Sequence, residues 1–204
     1  MKKLLAILML LASTASAQTS KNNEVTVMLT ASQFEDPSIT FDDEEAISFE
    51  FDEDLGYGVA FNRYWTNSFS TDFALHRITA DLTVSAAGEP AIDLGEIEAR
   101  TLTAIGQWHF RRGTRFSPYV GAGLAYVTGS FDAFDDEEGE ATFDFEDETT
   151  WAVNAGADIN VTDMFSIVLD GKYVQWEPRA ENDDEDEGLD VSPLMLSAGV
   201  RVRF

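Results

Sequence analysis

The side chains in this sequence that could do chemistry are mostly carboxylates. The chain has 38 Asp and Glu against 13 Lys and Arg, which gives a formal net charge of -25. Carboxylates can act as a general acid/base pair or as oxygen ligands for divalent cations. Most of the acids fall in four long stretches, at 35–54, 79–96, 131–148 and 177–190. So many crowded carboxylates do not single out one acid/base pair, and we expect them to attract divalent cations.

Other reactive side chains are few. The absence of cysteine excludes disulfides, a thiol nucleophile and a thiolate metal site. Two histidines, His76 and His109, fall on predicted inward faces of different strands, and neither has a serine nucleophile motif beside it. No loop has the D-x-[DN]-x-[DN]-G spacing of a calcium loop. We therefore expect no catalytic residues, no defined metal site and no cofactor, with a lipid hydrolase or acyltransferase as the alternative.

The net charge also restricts the partners. It repels phosphate backbones, which argues against nucleic-acid binding. Acidic chains are often disordered, but 44% hydrophobic and 12% aromatic residues favour a folded chain. Two interpretations of the acidic stretches remain: binding of divalent cations, or a solvated surface suited to a saline habitat or to avoiding aggregation.

The N-terminus has the three-part order of a secretory signal peptide. Lys2 and Lys3 precede a short apolar run at 4–11, and small residues at 15–17 fit signal peptidase. The apolar run is too short for a membrane anchor. We predict cleavage after the first 17 residues (1–17), which leaves a domain of residues 18–204 outside the cytoplasm.

That domain shows strand periodicity along most of its length. Apolar residues recur at every second position, and no stretch reaches the ~20 apolar residues that a membrane helix needs. The pattern predicts eight strands, at 25–31, 55–61, 69–75, 102–110, 120–126, 151–159, 165–173 and 194–204.

The connections between these strands alternate strictly between short and long. Short ones lie around 65–67, 111–115 and 161–163, and the long ones are the four acidic stretches. This sorting is typical of outer-membrane barrels. We predict an all-β fold, an eight-stranded antiparallel transmembrane β-barrel with short periplasmic turns and long acidic outer loops. The alternative is a soluble barrel of the lipocalin type.

Aromatic residues crowd the predicted strand ends, where the interfacial girdles of a membrane barrel belong. Those near the short turns are Tyr64, Trp65, Trp108, Phe110, Phe116 and Phe165. Those near the long loops are Tyr57, Tyr126, Trp151, Tyr173 and Trp176.

Three segments resemble the OmpW family of small outer-membrane barrels: 116–126 (FSPYVGAGLAY), 151–158 (WAVNAGAD) and 192–204 (SPLMLSAGVRVRF). The alternating last segment, with Phe204 at its end, is also similar to the C-terminal pattern of outer-membrane proteins. The resemblance implies an outer-membrane location and a narrow apolar interior that admits small hydrophobic molecules. The sequence departs from the family in its unusually acidic outer loops and in residues 200–203.

The predicted inward faces divide into two groups, because an eight-stranded barrel is only just wide enough for side chains. We expect a charge plug toward the periplasm, formed by Asp158, Asp170, Lys172, Arg201 and Arg203. We expect an apolar lumen above it, lined by Met28, Ile105, Val127, Val174, Trp176 and Met195.

These groups lead to two functional hypotheses. The first is passage or binding of small hydrophobic molecules through the apolar upper lumen. The second is a structural or adhesive barrel whose acidic loops bind cations, lipopolysaccharide or surfaces. In both, the expected partners include outer-membrane lipid and lipopolysaccharide, and divalent cations are possible ligands of the loops.

Overall fold

The computed structural model describes residues 22–33, 38–40, 46–53, 55–86, 92–133, 141–176 and 192–204. The predicted signal peptide lies outside these ranges. The described strands are β1 (Asn23–Gln33), β2 (Ser38–Thr40), β3 (Ala46–Glu53), β4 (Leu55–Tyr64), β5 (Phe69–Ala86), β6 (Ile92–His109), β7 (Phe116–Ala133), β8 (Ala141–Asp144), β9 (Glu148–Asn160), β10 (Phe165–Val174) and β11 (Leu194–Arg203).

Eight of these strands close into an antiparallel barrel, in the order β1, β4, β5, β6, β7, β9, β10 and β11. The first and last strands meet along the pairs from Glu24 with Arg203 to Gln33 with Leu194. The backbones of Asn23 and Phe204 also exchange two hydrogen bonds, of 2.9 and 3.1 Å. The predicted eight-stranded barrel is therefore confirmed.

The other three strands extend the wall beyond the barrel on the side of the long connections. β3 pairs with the outer part of β5, β2 pairs with β3, and β8 pairs with the outer part of β7. The prediction of a long second loop at 79–96 is wrong, because β5 continues to Ala86 and β6 begins at Ile92. Inward and outward side chains still alternate there, with Ala80, Ile97 and Ala99 buried. The β5–β6 ladder therefore extends beyond the part of the wall that faces the membrane.

A register shift between Leu82 and Thr83 interrupts the long β5–β6 hairpin. Gly95 lies opposite Leu82 with φ of 149°. A Cβ atom at this position would lie 2.1 Å from the carbonyl oxygen of Asp132 on β7. The irregularity therefore depends on a residue without a side chain.

Two of the short turns are built in the same way. Thr66 Oγ1 accepts hydrogen bonds from the backbone N–H groups of Ser68 and Phe69, at 3.2 and 2.9 Å. In the other turn Thr162 Oγ1 accepts from Met164 and Phe165, at 3.2 and 3.0 Å. A threonine that satisfies the turn backbone keeps these two connections short.

The barrel has an apolar outer face and a mixed inner face. Large apolar side chains are exposed outward on all eight strands, including Leu29, Phe61, Leu75, Leu102, Leu124, Val153, Leu169 and Leu196. Aromatic rings border this band near the short turns, at Trp65, Trp108, Phe110 and Phe116, and near the opposite end, at Tyr57, Tyr126 and Trp151. This is the surface of a barrel that faces lipid. No helix in the described ranges is long and apolar enough to cross a membrane.

Candidate functional site: the barrel interior

The interior is filled by side chains along most of its described length. Inward positions alternate with outward ones on every barrel strand, and most of the inward side chains are buried. A void of about 10 Å³ lies near mid-barrel, between Met28, Asp72, Gln107, Tyr119 and Arg201. This space holds at most one water molecule, so we expect no continuous water-filled pore there.

A network of ion pairs occupies the end of the interior nearest the short turns, which we predict to face the periplasm, and we call it the charge network. Arg201 Nη1 lies 2.8 Å from Asp158 Oδ1 and 3.4 Å from Glu24 Oε2. Arg203 Nε donates to Glu24 Oε1, and Arg201 Nε donates to Thr26 Oγ1 at 2.8 Å. All but the partly exposed Arg203 are buried. Two cations are therefore matched by two carboxylates across three strands.

Glu24 is central to the charge network, and sequence reasoning missed it. Its carboxylate contacts both arginines although it stands 177 positions from Arg201 in the chain. The predicted strand began at Val25, so the inward position just before it was not considered. Extending the alternation of Thr26 and Met28 back by one inward position would have found Glu24.

Asp170 and Lys172 were predicted to share a plug with the arginines; they line the same small void as Arg201, and none of the described ion pairs joins them to Arg201 or Arg203. Asp170 Oδ1 accepts hydrogen bonds from Tyr119 Oη and Asn154 Nδ2, both at 2.8 Å. Lys172 Nζ lies 3.2 Å from His76 Nε2 and donates to Thr103 Oγ1 at 3.2 Å. The described hydrogen-bond partners of both charges are thus neutral polar groups.

The two histidines are buried in these polar layers. Thr30 Oγ1 lies 3.3 Å from His76 Nδ1, opposite the contact with Lys172. His109 Nε2 lies 2.9 Å from Ser70 Oγ, and its Nδ1 lies 3.3 Å from Tyr64 Oη. A serine beside a histidine is the start of a nucleophilic site. Both side chains are at most 1% exposed, which leaves a substrate no access to Ser70.

Buried apolar side chains fill the interior toward the long connections, and we call this group the apolar cluster. It brings together Ile105, Val127, Val174, Trp176 and Met195, all predicted for the lumen wall. Met28 lies apart from them, in a small group with Ala60 and Ala74. The members that sequence reasoning missed are Ile78, Ala80, Ile97, Ala99, Ala125 and Ala152, with Phe131 and Phe145 packed against them.

Trp176 lies at the top of the apolar cluster, just after the end of β10. Its backbone N–H donates to Ser192 Oγ at 3.1 Å, and its ring meets Phe145 edge to face with centroids 5.9 Å apart. A Cβ on Gly129 would lie 3.0 Å from the indole, so the glycine makes room for the ring. Among the described residues, the buried indole Nε1 has no hydrogen-bond partner. Such an unpaired donor is costly.

The acidic connections are described only in part. No group of three or more His, Cys, Asp or Glu side chains that could hold a metal ion occurs within the described ranges. Residues 134–140 and 177–191, which carry many of the acids and Arg179, lie outside those ranges. The expectation of divalent cations at the acidic loops therefore stays a prediction.

The sequence as a whole matches one family model. Residues 4–204 match the model described as outer membrane protein beta-barrel domain. A search of curated proteins found no match.

Several solved structures share the fold. OprG of Pseudomonas aeruginosa is 16% identical, with 90% of this chain and 96% of that chain covered and a TM-score of 0.72. The outer membrane protein AlkL is 16% identical, with 93% and 94% covered and a TM-score of 0.60. Both are OmpW-like eight-stranded barrels, so the resemblance is confirmed at the level of the fold.

A third similar structure is a protein named for attachment. Ail, the attachment invasion locus protein of Yersinia pestis, was solved in complex with the heparin analogue sucrose octasulfate. It is 14% identical, with 91% of this chain and 100% of that chain covered and a TM-score of 0.55. At these identities the three comparisons establish the architecture.

Proposed function

The chain belongs to the family of outer membrane protein β-barrel domains, and from that premise we propose that it binds small hydrophobic molecules in its apolar cluster. Its location is the outer membrane. Binding in the outer half of the barrel is the first step of uptake past the polar surface of that membrane. The reaction is physical transfer, with no bond made or broken.

The observation that carries this proposal is the composition of the outer half of the interior. Eleven buried apolar residues form one cluster there, and none of them carries a charge. A hydrophobic guest that displaces part of this packing replaces the lost apolar contacts with its own. The guest therefore moves from water into the cluster with little loss of barrel stability. Small-molecule sites are commonly apolar pockets in barrel mouths.

Trp176 is the side chain that we expect to move when a guest binds. It is attached after the last residue of β10, so turning it breaks no ladder pairing. Its indole N–H, which has no partner among the described residues, also makes its buried position less stable than that of a purely apolar side chain. The ring therefore acts in our proposal as a cover over the cluster.

The charge network limits where the guest can go. An apolar molecule that moved toward the periplasm would separate Arg201 from Asp158 and Glu24 without offering hydrogen bonds in return. We therefore propose that the guest does not leave through the periplasmic end of the bore.

A structural or adhesive role is the second candidate, favoured by the filled interior. A barrel whose lumen stays packed still presents β3, β8 and the acidic connections beyond the membrane. Ail, which is named for attachment, has the same fold. In this role the apolar cluster is only a packed core, and the acidic connections make the contacts.

Variants that introduce a charge into the apolar cluster distinguish the uptake function from the adhesive one. We expect Trp176→Asp and Met195→Asp each to reduce the uptake of radiolabelled octane by cells that express the barrel, because an unpaired carboxylate repels an apolar guest. Met195→Leu is the matched control, since it keeps an apolar side chain of similar size, and its uptake should stay near wild type. Heat-modifiable gel migration shows that each variant still forms a barrel.

The acidic connection at 177–190 provides the opposite test. Replacing the acids at 183–187 by their amides should leave octane uptake nearly unchanged and weaken any calcium or magnesium dependence of surface binding. The uptake proposal is contradicted, and the adhesive one supported, if two results occur together. Octane uptake would be unchanged in Trp176→Asp and Met195→Asp, and surface binding would be lost when the acids at 183–187 are replaced.

A further inference from the structure

Two arginines face outward, side by side, on neighbouring strands of the barrel. Arg77 on β5 and Arg100 on β6 are direct partners in the antiparallel ladder. Their side chains are 41% and 64% exposed. Like charges placed directly opposite each other in a sheet are destabilising, so this pair needs an explanation.

The pair marks the outer edge of the lipid-facing band. Two residues nearer the membrane centre on the same face are Leu75 and Leu102, which are both exposed. Beyond the arginines the outward face of β5 continues with Thr79 and Asp81, which are polar. The arginines thus form the first polar row outside the apolar surface, at the depth where lipid headgroups begin.

One carboxylate serves both cations. Glu98 Oε2 pairs with Arg77 Nη2, and Glu98 Oε1 lies 2.8 Å from Arg100 Nη2. The three side chains together therefore carry one excess positive charge on a chain of net charge -25. Other described basic residues lie at the periplasmic turns or inside the barrel, except Arg63, which is near the first of those turns.

We propose that Arg77 and Arg100 bind a phosphate on the headgroup of a phosphorylated glycolipid in the outer leaflet. An excess cation beside exposed apolar side chains complements a molecule with a phosphate at the head and acyl chains below it. Guanidinium groups suit this ligand because their planar N–H donors match phosphate oxygens in pairs. Glu98 holds both groups at the same depth, so less side-chain entropy is lost on binding.

Apart from Glu98, the described acids on the outward faces of β5 and β6 lie further out along these strands. Asp81 and Glu96 lie four residues further out, about 13 Å along the strands, which exceeds the screening length of about 8 Å at physiological salt. On the β7 side Arg100 borders a polar cleft of about 700 Å³ that also contains Asp144, Glu146 and Asp147. We therefore expect the phosphate to approach from the lipid side, where the uncharged and exposed Leu75 and Leu102 adjoin the pair.

The test is binding of purified lipopolysaccharide to the refolded full-length barrel in detergent, measured by titration. The double variant Arg77→Gln/Arg100→Gln should bind roughly tenfold or more weakly, as expected for lost charge-assisted hydrogen bonds. Dephosphorylated lipopolysaccharide should bind wild type just as weakly. The matched control Arg111→Gln/Arg115→Gln removes two arginines from a periplasmic turn and should bind like wild type.

Further measurements distinguish binding of the whole lipid from binding of free phosphate and from a folding defect in the variant. Inorganic phosphate at the same concentration should not compete, because it has no acyl chains for the apolar band. Glu98→Gln should bind more tightly, since its amide oxygen still accepts hydrogen bonds from the arginines while the negative charge that competes for them is removed. Any one of four results would overturn the proposal. These are wild-type affinity in Arg77→Gln/Arg100→Gln, equal affinity of the wild type for the dephosphorylated lipid, competition by free phosphate, and unchanged or weaker binding in Glu98→Gln.

Discussion

The two ends of the barrel interior are equally buried but are held together by different interactions. The periplasmic end contains the charge network, in which Glu24, Asp158 and Arg201 are at most 2% exposed. The outer end contains the apolar cluster, in which Trp176 and Met195 are at most 1% exposed. Burial alone therefore does not distinguish the part of the bore that is closed from the part that could admit a guest.

The difference lies in what a displaced side chain loses. A charged side chain in the network loses a specific partner, and the partner is left buried without compensation. An apolar side chain loses contacts that another apolar group can replace. The periplasmic end thus tolerates few changes in its side chains, whereas the outer end can repack around another apolar group. Three measurements test this contrast.

The largest effect is expected at the centre of the charge network. Arg201→Met removes the cation that faces Glu24 and Asp158, and it should lower the free energy of unfolding by about 3–5 kcal/mol because it leaves the buried Asp158 carboxylate without a cation, whereas Glu24 keeps Arg203. Urea titration of the barrel refolded in lipid vesicles measures the change.

Arg203→Met is the matched control for that measurement. This arginine also pairs with Glu24, but it is partly exposed, so water can replace the lost interaction. A loss in Arg203→Met as large as that in Arg201→Met would show that burial of the pair is not the cause.

A smaller effect is expected in the apolar cluster. Met195→Ala removes buried methylene groups and a sulfur, at an expected cost of about 2–5 kcal/mol depending on how far the neighbours close the space. Leu196→Ala is the control on the same strand, since this side chain faces lipid, and acyl chains fill the space that it leaves. Equal losses in the two variants would contradict a packed outer interior.

The smallest effect is expected outside the barrel interior, at Glu98. The hydrogen bond from Arg77 and then that from Arg100 hold the pKa of Glu98 below its ordinary value. A lowered pKa stabilises the fold above the ordinary Glu value of about 4.3, and this stabilisation is lost as the pH falls through the lower, folded pKa. Because the site is partly exposed, it should contribute less than about 1 kcal/mol.

The pH dependence of unfolding tests this contribution. The difference in urea midpoint between wild type and Glu98→Gln should be present at pH 7 and should shrink as the pH falls below the ordinary Glu pKa. A difference that stays constant into the acid range would mean that the glutamate acts through packing instead of charge.

The strand count and the two faces of the wall could be predicted from the sequence because a strand has a side-chain period of two. Leu169 and Asp170 are neighbours in sequence, and the alternation alone assigns one to lipid and the other to the interior. The ends of β5 and β6 could not be predicted in the same way, because polar residues such as Thr79 and Asp81 replace the apolar ones on the outer face there. The strands continue there on ladder hydrogen bonds and on inward apolar side chains such as Ala80 and Ile97.

The sequence by itself determined which side chains of each strand face inward, since that depends only on local alternation. Which inward side chains meet was decided by the tertiary structure, because the stagger between strands in a closed barrel sets their relative heights. Lys172 meets His76 instead of a carboxylate, and Glu24 meets Arg201 from the other end of the chain, for this reason. Pairing across a barrel depends on the register of all its strands at once, and no local pattern in one strand contains that information.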